Sequence, residues 1–334
     1  GDRSVSATCT TNFTVVKLDV QLPNVSEGEE ETVGLEIPYF PDGGGGSLSA
    51  EARAALVPLT ITCEPDDVTG RIEIEAPEKL VYEKRGSSYI AASRSYRVCD
   101  LKDKSFFVHG HALSTARGDQ SITVRHPPSG AVDRVCVTVC EYTFTVNVDM
   151  PGDGSVNAPL IVTLREDGVT YYDVGHASWK FNCSQFSTLR NDWSAYIGVS
   201  AGTYPTENEC VMPTVNERGE KVVVPRTVGG KYQSPDDSHP IEVTKTWYLT
   251  KDAFLNGILC CQDKKLASEN KTLKYNPFFN NCVNAVVEVG AAAGIQVPQS
   301  SYGVFVFAMH TMDLSLTAYN LGKDLQALNT GGME

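Results

Sequence analysis

Two residues stand out for the chemistry they would do together: Cys282, in YNPFFNNCVNAVVEVG, and His176, in YYDVGHASWKF. The run after Asn281 has helical spacing, with Val283, Val286 and Val287 as its apolar stripe and Gly294 as its stop. Asn280 or Asn281 is the expected N-cap. A cysteine in the first turn feels the positive end of the helix dipole and unpaired backbone N–H groups, and both favour thiolate over thiol. The same N–H groups suit an oxyanion hole. His176 falls on an expected strand, and Gly175 before it allows another backbone to come close. A cysteine hydrolase needs an imidazole beside its thiol, first as base or ion-pair partner, then as acid toward the leaving group. Cys282 as nucleophile and His176 as base therefore form the candidate catalytic pair. The plainer reading of position 282 is a buried structural cysteine.

Other candidates carry less. Cys183 in FNCSQF and His239 in SPDDSHP form a competing pair, but no amphipathic helix follows Cys183 and His239 sits in an expected loop. His310, in VFVFAMH, follows Cys282 too closely for intervening strands and reads as structural. His109 and His111 share a strand face without an evident third ligand, so they read as core or solvated histidines. Glu27 and Glu29–Glu31 read as an exposed acidic loop, and the glycines at 43–46 lack the Lys-Ser/Thr of a phosphate loop. No CxxC pair and no dinucleotide fingerprint occur, so neither a metal nor a cofactor is expected.

The elements that must position these residues change character along the chain. Val16, Leu18, Val20 and Leu22 alternate with polar residues, as do RIEIE (71–75), SITVR (121–125) and VCVTVC (135–140). Short strands separated by Gly/Pro turns predict an all-β sandwich over residues 1–142. From residue 143 onward strands come first and helices last. Phe144–Val148, Leu160–Leu164, Val169–Phe181 and Ala195–Ser200 are the expected strands, with an Asp167-Gly168 hairpin. Thr206–Pro240 reads as loop. Lys251–Lys265 reads as a helix capped by Thr250, with Phe254, Ile258 and Leu259 on one face.

Composition narrows the class. The chain has 334 residues with 28 Lys plus Arg against 41 Asp plus Glu, a net charge of −13. That balance repels phosphate backbones, so nucleic acid is not an expected partner. Hydrophobic residues make up 41%, enough for real cores. The apolar run near Gly303–Met309 is far short of the ~20 residues a membrane-spanning helix needs. The sequence starts at Gly1 without a basic-then-apolar leader, which reads as a mature or trimmed chain. Ten cysteines point weakly to export. Cys136 and Cys140, ~13 Å apart along a strand, are too distant to bridge each other.

GHASW on a strand, then YIGVSAGTYP, a helix, and the YNPFFNNC helix start with AAAGIQVP after it resemble the circularly permuted papain-like cysteine hydrolases, relatives of bacterial cell-wall peptidases and, more distantly, of lecithin retinol acyltransferase. In that order the histidine strand precedes the cysteine helix. SFFVHGHALS, SITVRHP and AVDRVCVTVC resemble the last strands of bacterial immunoglobulin-like domains. The resemblance implies an immunoglobulin-like sandwich (1–142) followed by an α+β permuted papain-like domain (143–334). It implies Cys282 as nucleophile, His176 as base and Tyr275 as a substrate-binding residue. The substrate class would be a peptide or cell-wall amide, and the setting secreted, periplasmic or at the cell surface. A non-catalytic protein holding a peptide or glycan in the same groove is the second expectation. The family orients its histidine with a polar residue on the following strand; Asn182, Tyr196 and Ser200 are the choices, and the sequence does not decide among them.

Overall fold

The computed structural model describes residues 15–23, 34–42, 47–150, 163–165, 168–170, 175–184, 189, 191–207, 211–215, 217–219, 221–237, 239–277, 280–299, 302–304, 313–315 and 318–330. Contacts divide the chain into two compact units, Gly1–Cys140 and Glu141–Glu334. The division falls two residues before the expected boundary, because Tyr142 is fully buried in the second unit's sheet.

The first unit is β-rich. Its strands are β1 (Lys17–Gln21), β2 (Leu35–Pro38), β3 (Val57–Glu64), β4 (Arg71–Glu75), β5 (Val81–Arg85), β6 (Ser88–Ala91), β7 (Ser95–Arg97), β8 (Phe106–Val108), β9 (Gln120–His126) and β10 (Ala131–Cys140). They form two five-stranded sheets, ordered β1-β3-β8-β5-β6 and β2-β10-β9-β4-β7. Alternation decides which side chains turn inward: in β4 only Ile72 and Ile74 are buried, and in β3 Leu59, Ile61 and Cys63. Both sheets contribute to one core, in which Val20, Leu59 and Phe106 of the first meet Ile72, Ile122 and Val137 of the second. His109 is buried, 3.1 Å from Asp42, and stacks on His111 at 6.0 Å between ring centroids. Among the described residues no group of three or more His, Cys, Asp or Glu is arranged to hold a metal ion. Glu27, Glu29–Glu31 and the glycines at 43–46 lie outside the described residues.

The second unit's strands are β11 (Tyr142–Asp149), β12 (Thr163–Arg165), β13 (Gly168–Thr170), β14 (His176–Cys183), β15 (Ser200–Pro205), β16 (Val211–Val215), β17 (Lys221–Pro225), β18 (Val228–Gln233), β19 (Val243–Tyr248), β20 (Lys274–Tyr275), β21 (Tyr302–Val304) and β22 (Asp313–Ser315). A six-stranded sheet, β19-β11-β14-β15-β18-β20, pairs antiparallel throughout. Three two-stranded pairs, β12-β13, β16-β17 and β21-β22, stand apart from it.

After a five-residue helix α1 (Ala50–Ala54) in the first unit come α2 (Lys251–Glu269), α3 (Cys282–Ala292) and α4 (Ala318–Asn329) in the second. The Thr250 hydroxyl caps α2 by accepting from Ala253 N at 3.2 Å. Phe254, Ile258 and Cys261 face inward: Phe254 meets Phe181 edge-to-face at 5.5 Å, and Cys261 Sγ accepts from Trp179 Nε1 at 3.1 Å. No described helix is long and apolar enough to cross a membrane.

Several expectations need correction. The strand expected over Val169–Phe181 is two, β13 and β14, in different sheets. Asn191–Tyr196 is a short 3-10 helix rather than part of a fourth strand, which starts at Ser200. The stretch read as loop, Thr206–Pro240, carries β16, β17 and β18. Its strands lack side-chain alternation: β17 is a continuous Val run, and β18 opens Val-Gly-Gly. Gly230 in β18 is needed for close packing, since a Cβ there would lie 2.8 Å from Leu273 Cγ. Leu259 is 46% exposed, and on α3 Val289 is buried where Val287 was expected. His310 lies outside the described residues.

Candidate active site

Cys282 is the first residue of α3. The Asn281 side chain caps the helix, accepting from Val283 N at 2.9 Å and Asn284 N at 3.1 Å. Asn284 Oδ1 returns the bond to Asn281 N at 3.0 Å, closing a capping box. The tail of α3 ends where Gly294, at φ +70°, takes the left-handed turn. The helix start is thus fixed from sequence-local bonds, and it delivers the thiol to the first residue of β14, His176.

Cys282 and His176 are hydrogen-bonded side chain to side chain, and the backbone N–H groups of Ala177 and Val283 also donate to the sulfur. Cys282 is a free thiol, 7% exposed. Burial pushes its thiol up, but the charge and hydrogen bond of His176 and the two N–H groups outweigh that, holding it below the usual cysteine range. Burial likewise pushes His176 down. The Cys282 thiolate and Asp236 more than reverse it, so the imidazolium is favoured. Both shifts run in the direction that favours a buried thiolate–imidazolium pair.

The residue that orients the imidazole is Asp236, in the SPDDSHP loop after β18. Its Oδ2 lies 2.8 Å from His176 Nε2, which leaves the other ring nitrogen for the thiol. The Tyr204 hydroxyl donates to Asp236 Oδ1 through a short bond. Burial pushes the Asp236 carboxyl up, while hydrogen bonds from His176 and Tyr204 bring it below the usual carboxylate range. Gly202 makes room: a Cβ there would collide with Asp236 Oδ2 and stand 2.7 Å from His176 Nε2. Gly202 and Tyr204 share one face of β15 by the two-residue period, so a missing side chain and a phenol side by side build the carboxylate's seat. The loop is tied to the strand by Asp236 N to Ser200 O at 3.1 Å and Ser234 Oγ to Ser200 O at 3.2 Å.

None of the three residues considered for this role reaches His176. Asn182 pairs with Thr143, ~20 Å along β14 at ~3.3 Å per residue. Tyr196 lies in the 3-10 helix, and Ser200 anchors the loop that carries Asp236. Asp236 is 60 residues from His176. Sequence reasoning missed it, because SPDDSHP reads locally as a turn and nothing in it marks one acid as the partner of a strand histidine.

The competing pair is not assembled. His239 stacks on His176 at 4.6 Å, whereas Cys183 is at the opposite end of β14. Tyr275 lies on β20, half-buried, opposite Val228 at the sheet edge and seven residues before Cys282.

A strand histidine, a loop aspartate and a helix-start cysteine in one buried cluster define a cysteine–histidine–aspartate arrangement on an antiparallel sheet. Compared with family models, with curated proteins and with solved structures, the chain finds no match.

Proposed function

We propose that the protein is a cysteine hydrolase that cleaves an amide bond, with Cys282 as nucleophile, His176 as base and acid, and Asp236 orienting the imidazole. The observation that carries this reading is the buried Cys282–His176 pair braced by Asp236. The Cys282 thiolate attacks the carbonyl carbon, the C–N bond breaks, and His176 gives its proton to the departing amine. Water then attacks the thioester, passes a proton to His176, and the thiolate leaves.

The order of parts, with the histidine strand before the cysteine helix, supports a permuted papain-like domain. The two-sheet first unit supports an immunoglobulin-like module ahead of it in the chain. By the same resemblance the substrate is a peptide of the cell-wall kind, Tyr275 lines its site, and the protein works outside the cell, secreted, periplasmic or on the surface. One observation favours a second reading, a binding protein without turnover: Cys282 is only 7% exposed.

Alkylation separates the two. The folded protein is treated with limiting iodoacetamide from pH 5 to 9, and the label is located by mass spectrometry in wild type and His176→Ala. Selective labelling of Cys282 well below pH ~8.5, the ordinary cysteine range, and its loss in the variant, is the expected result. A Cys282 that stays unlabelled, or reacts alike in both proteins, would sink the hydrolase reading.

A further inference from the structure

A second carboxylate-braced histidine lies against the first. His239 Nδ1 is 2.9 Å from Asp149 Oδ2, and its ring stacks on His176 with planes 28° apart and centroids 4.6 Å apart. Asp149 is buried at the end of β11, directly opposite His176 in the ladder, so the two side chains share a face. The His239 side chain is 34% exposed and that of His176 only 6%, so His239 is the imidazole that meets solvent protons. The groups facing it are Asp149 from β11, His176 from β14, Tyr204 from β15 at 5.9 Å between rings, and Asp236 from its own loop.

We propose that His239, braced by Asp149, is a positioning residue that sets the charge on His176 and thereby gates the Cys282 thiolate with pH. The proposal rests on the hydrolase reading above. While His239 is neutral, its ring supports the His176 imidazole without opposing its charge. When His239 takes a proton from solvent, a second positive charge stands against the imidazolium. The ring in direct contact is the imidazole, so repulsion there outweighs attraction for the sulfur beyond it. The His176 proton then returns to the Cys282 sulfur, and the nucleophile becomes a neutral thiol. Asp149 and Asp236 moderate the effect, being carboxylates that face both rings.

The test follows the rate of Cys282 alkylation by iodoacetamide against pH in the full chain. Wild type is expected to lose about tenfold in rate as pH falls from ~8 to ~5. His239→Phe keeps a flat ring in the stack without a titrating group, and its rate is expected to hold across that range. Identical pH dependence in the two proteins would overturn the proposal. If His239→Phe does not fold, NMR titration of wild type decides. A His176 ring signal that follows the titration of His239 supports the gate, and one blind to it sinks it. Loss of labelling in His176→Ala together with matching profiles in wild type and His239→Phe removes this proposal alone. Labelling indifferent to His176 removes the hydrolase reading and the gate with it.

Discussion

Two thiols of the second unit, both nearly inaccessible to solvent, are driven in opposite directions. Cys261 has burial and one indole N–H donor, and burial pushes it up to about 12. Cys282 has an imidazolium and two backbone N–H groups, and it is pushed down. Burial by itself therefore does not set reactivity; the positive partner does. Asp236 belongs to the same balance. Its folded value lies below the ordinary carboxylate range, so it contributes stability above that range and loses it as pH falls through the depressed value. Asp236→Asn keeps the size of the side chain and removes the charge that favours the imidazolium. We expect Cys282 alkylation at pH ~6 to slow by about tenfold, with little change at pH ~9, where an ordinary thiol is largely ionised. Equal rates for Asp236→Asn and wild type at the lower pH would deny Asp236 its role. In native protein Cys261 should stay unlabelled throughout, appearing only after denaturant unfolds the second unit.

At the scale of elements, α3 owes its start to Asn281 and its direction to the sheet beneath it. Asn281→Ala removes the side-chain oxygen that accepts from Val283 N and Asn284 N, leaving only the backbone half of the capping box, and is expected to cost about 1 kcal/mol in denaturant unfolding. The same change frees the first turn to fray, so alkylation of Cys282 should require higher pH. Unchanged stability together with an unchanged pH profile would show that the cap does not hold the thiol. Local signals of this sort were what the sequence made legible. The cap, the apolar stripe and Gly294 framed α3, Thr250 framed α2, and period-two alternation framed β4, β9 and β10. What escaped was made by partners distant in sequence. Asp236 sits in a loop whose only local message is turn chemistry, and it finds His176 because Gly202 vacates the space between them. β18 escaped because glycines chosen for close approach erase the side-chain alternation that marks a strand. Leu259 misled because an apolar residue on a helix is no guarantee of burial.

At the scale of the molecule, a net charge of −13 accompanies a site whose own centre favours an imidazolium. The far field and the near field oppose each other for an anionic reagent. We expect alkylation by iodoacetate to quicken as salt rises from ~10 to ~150 mM, while that by neutral iodoacetamide stays level, because salt screens the long-range repulsion first. A ratio independent of salt would mean that the protein's overall charge does not reach the site. The order of the parts along the chain has another consequence. His176, Gly202 and Asp236 all precede Cys282, and α3 follows the whole six-stranded sheet. A ribosome therefore releases the proposed nucleophile after the residues that would activate it. Before that moment the nascent chain holds an imidazole and a carboxylate, which are harmless by themselves. When the thiol emerges it is an ordinary cysteine until the helix docks on a finished sheet. On the hydrolase reading the thiol is thus activated only once the sheet it docks on is complete, and a translation product cut short before α3 lacks the nucleophile altogether.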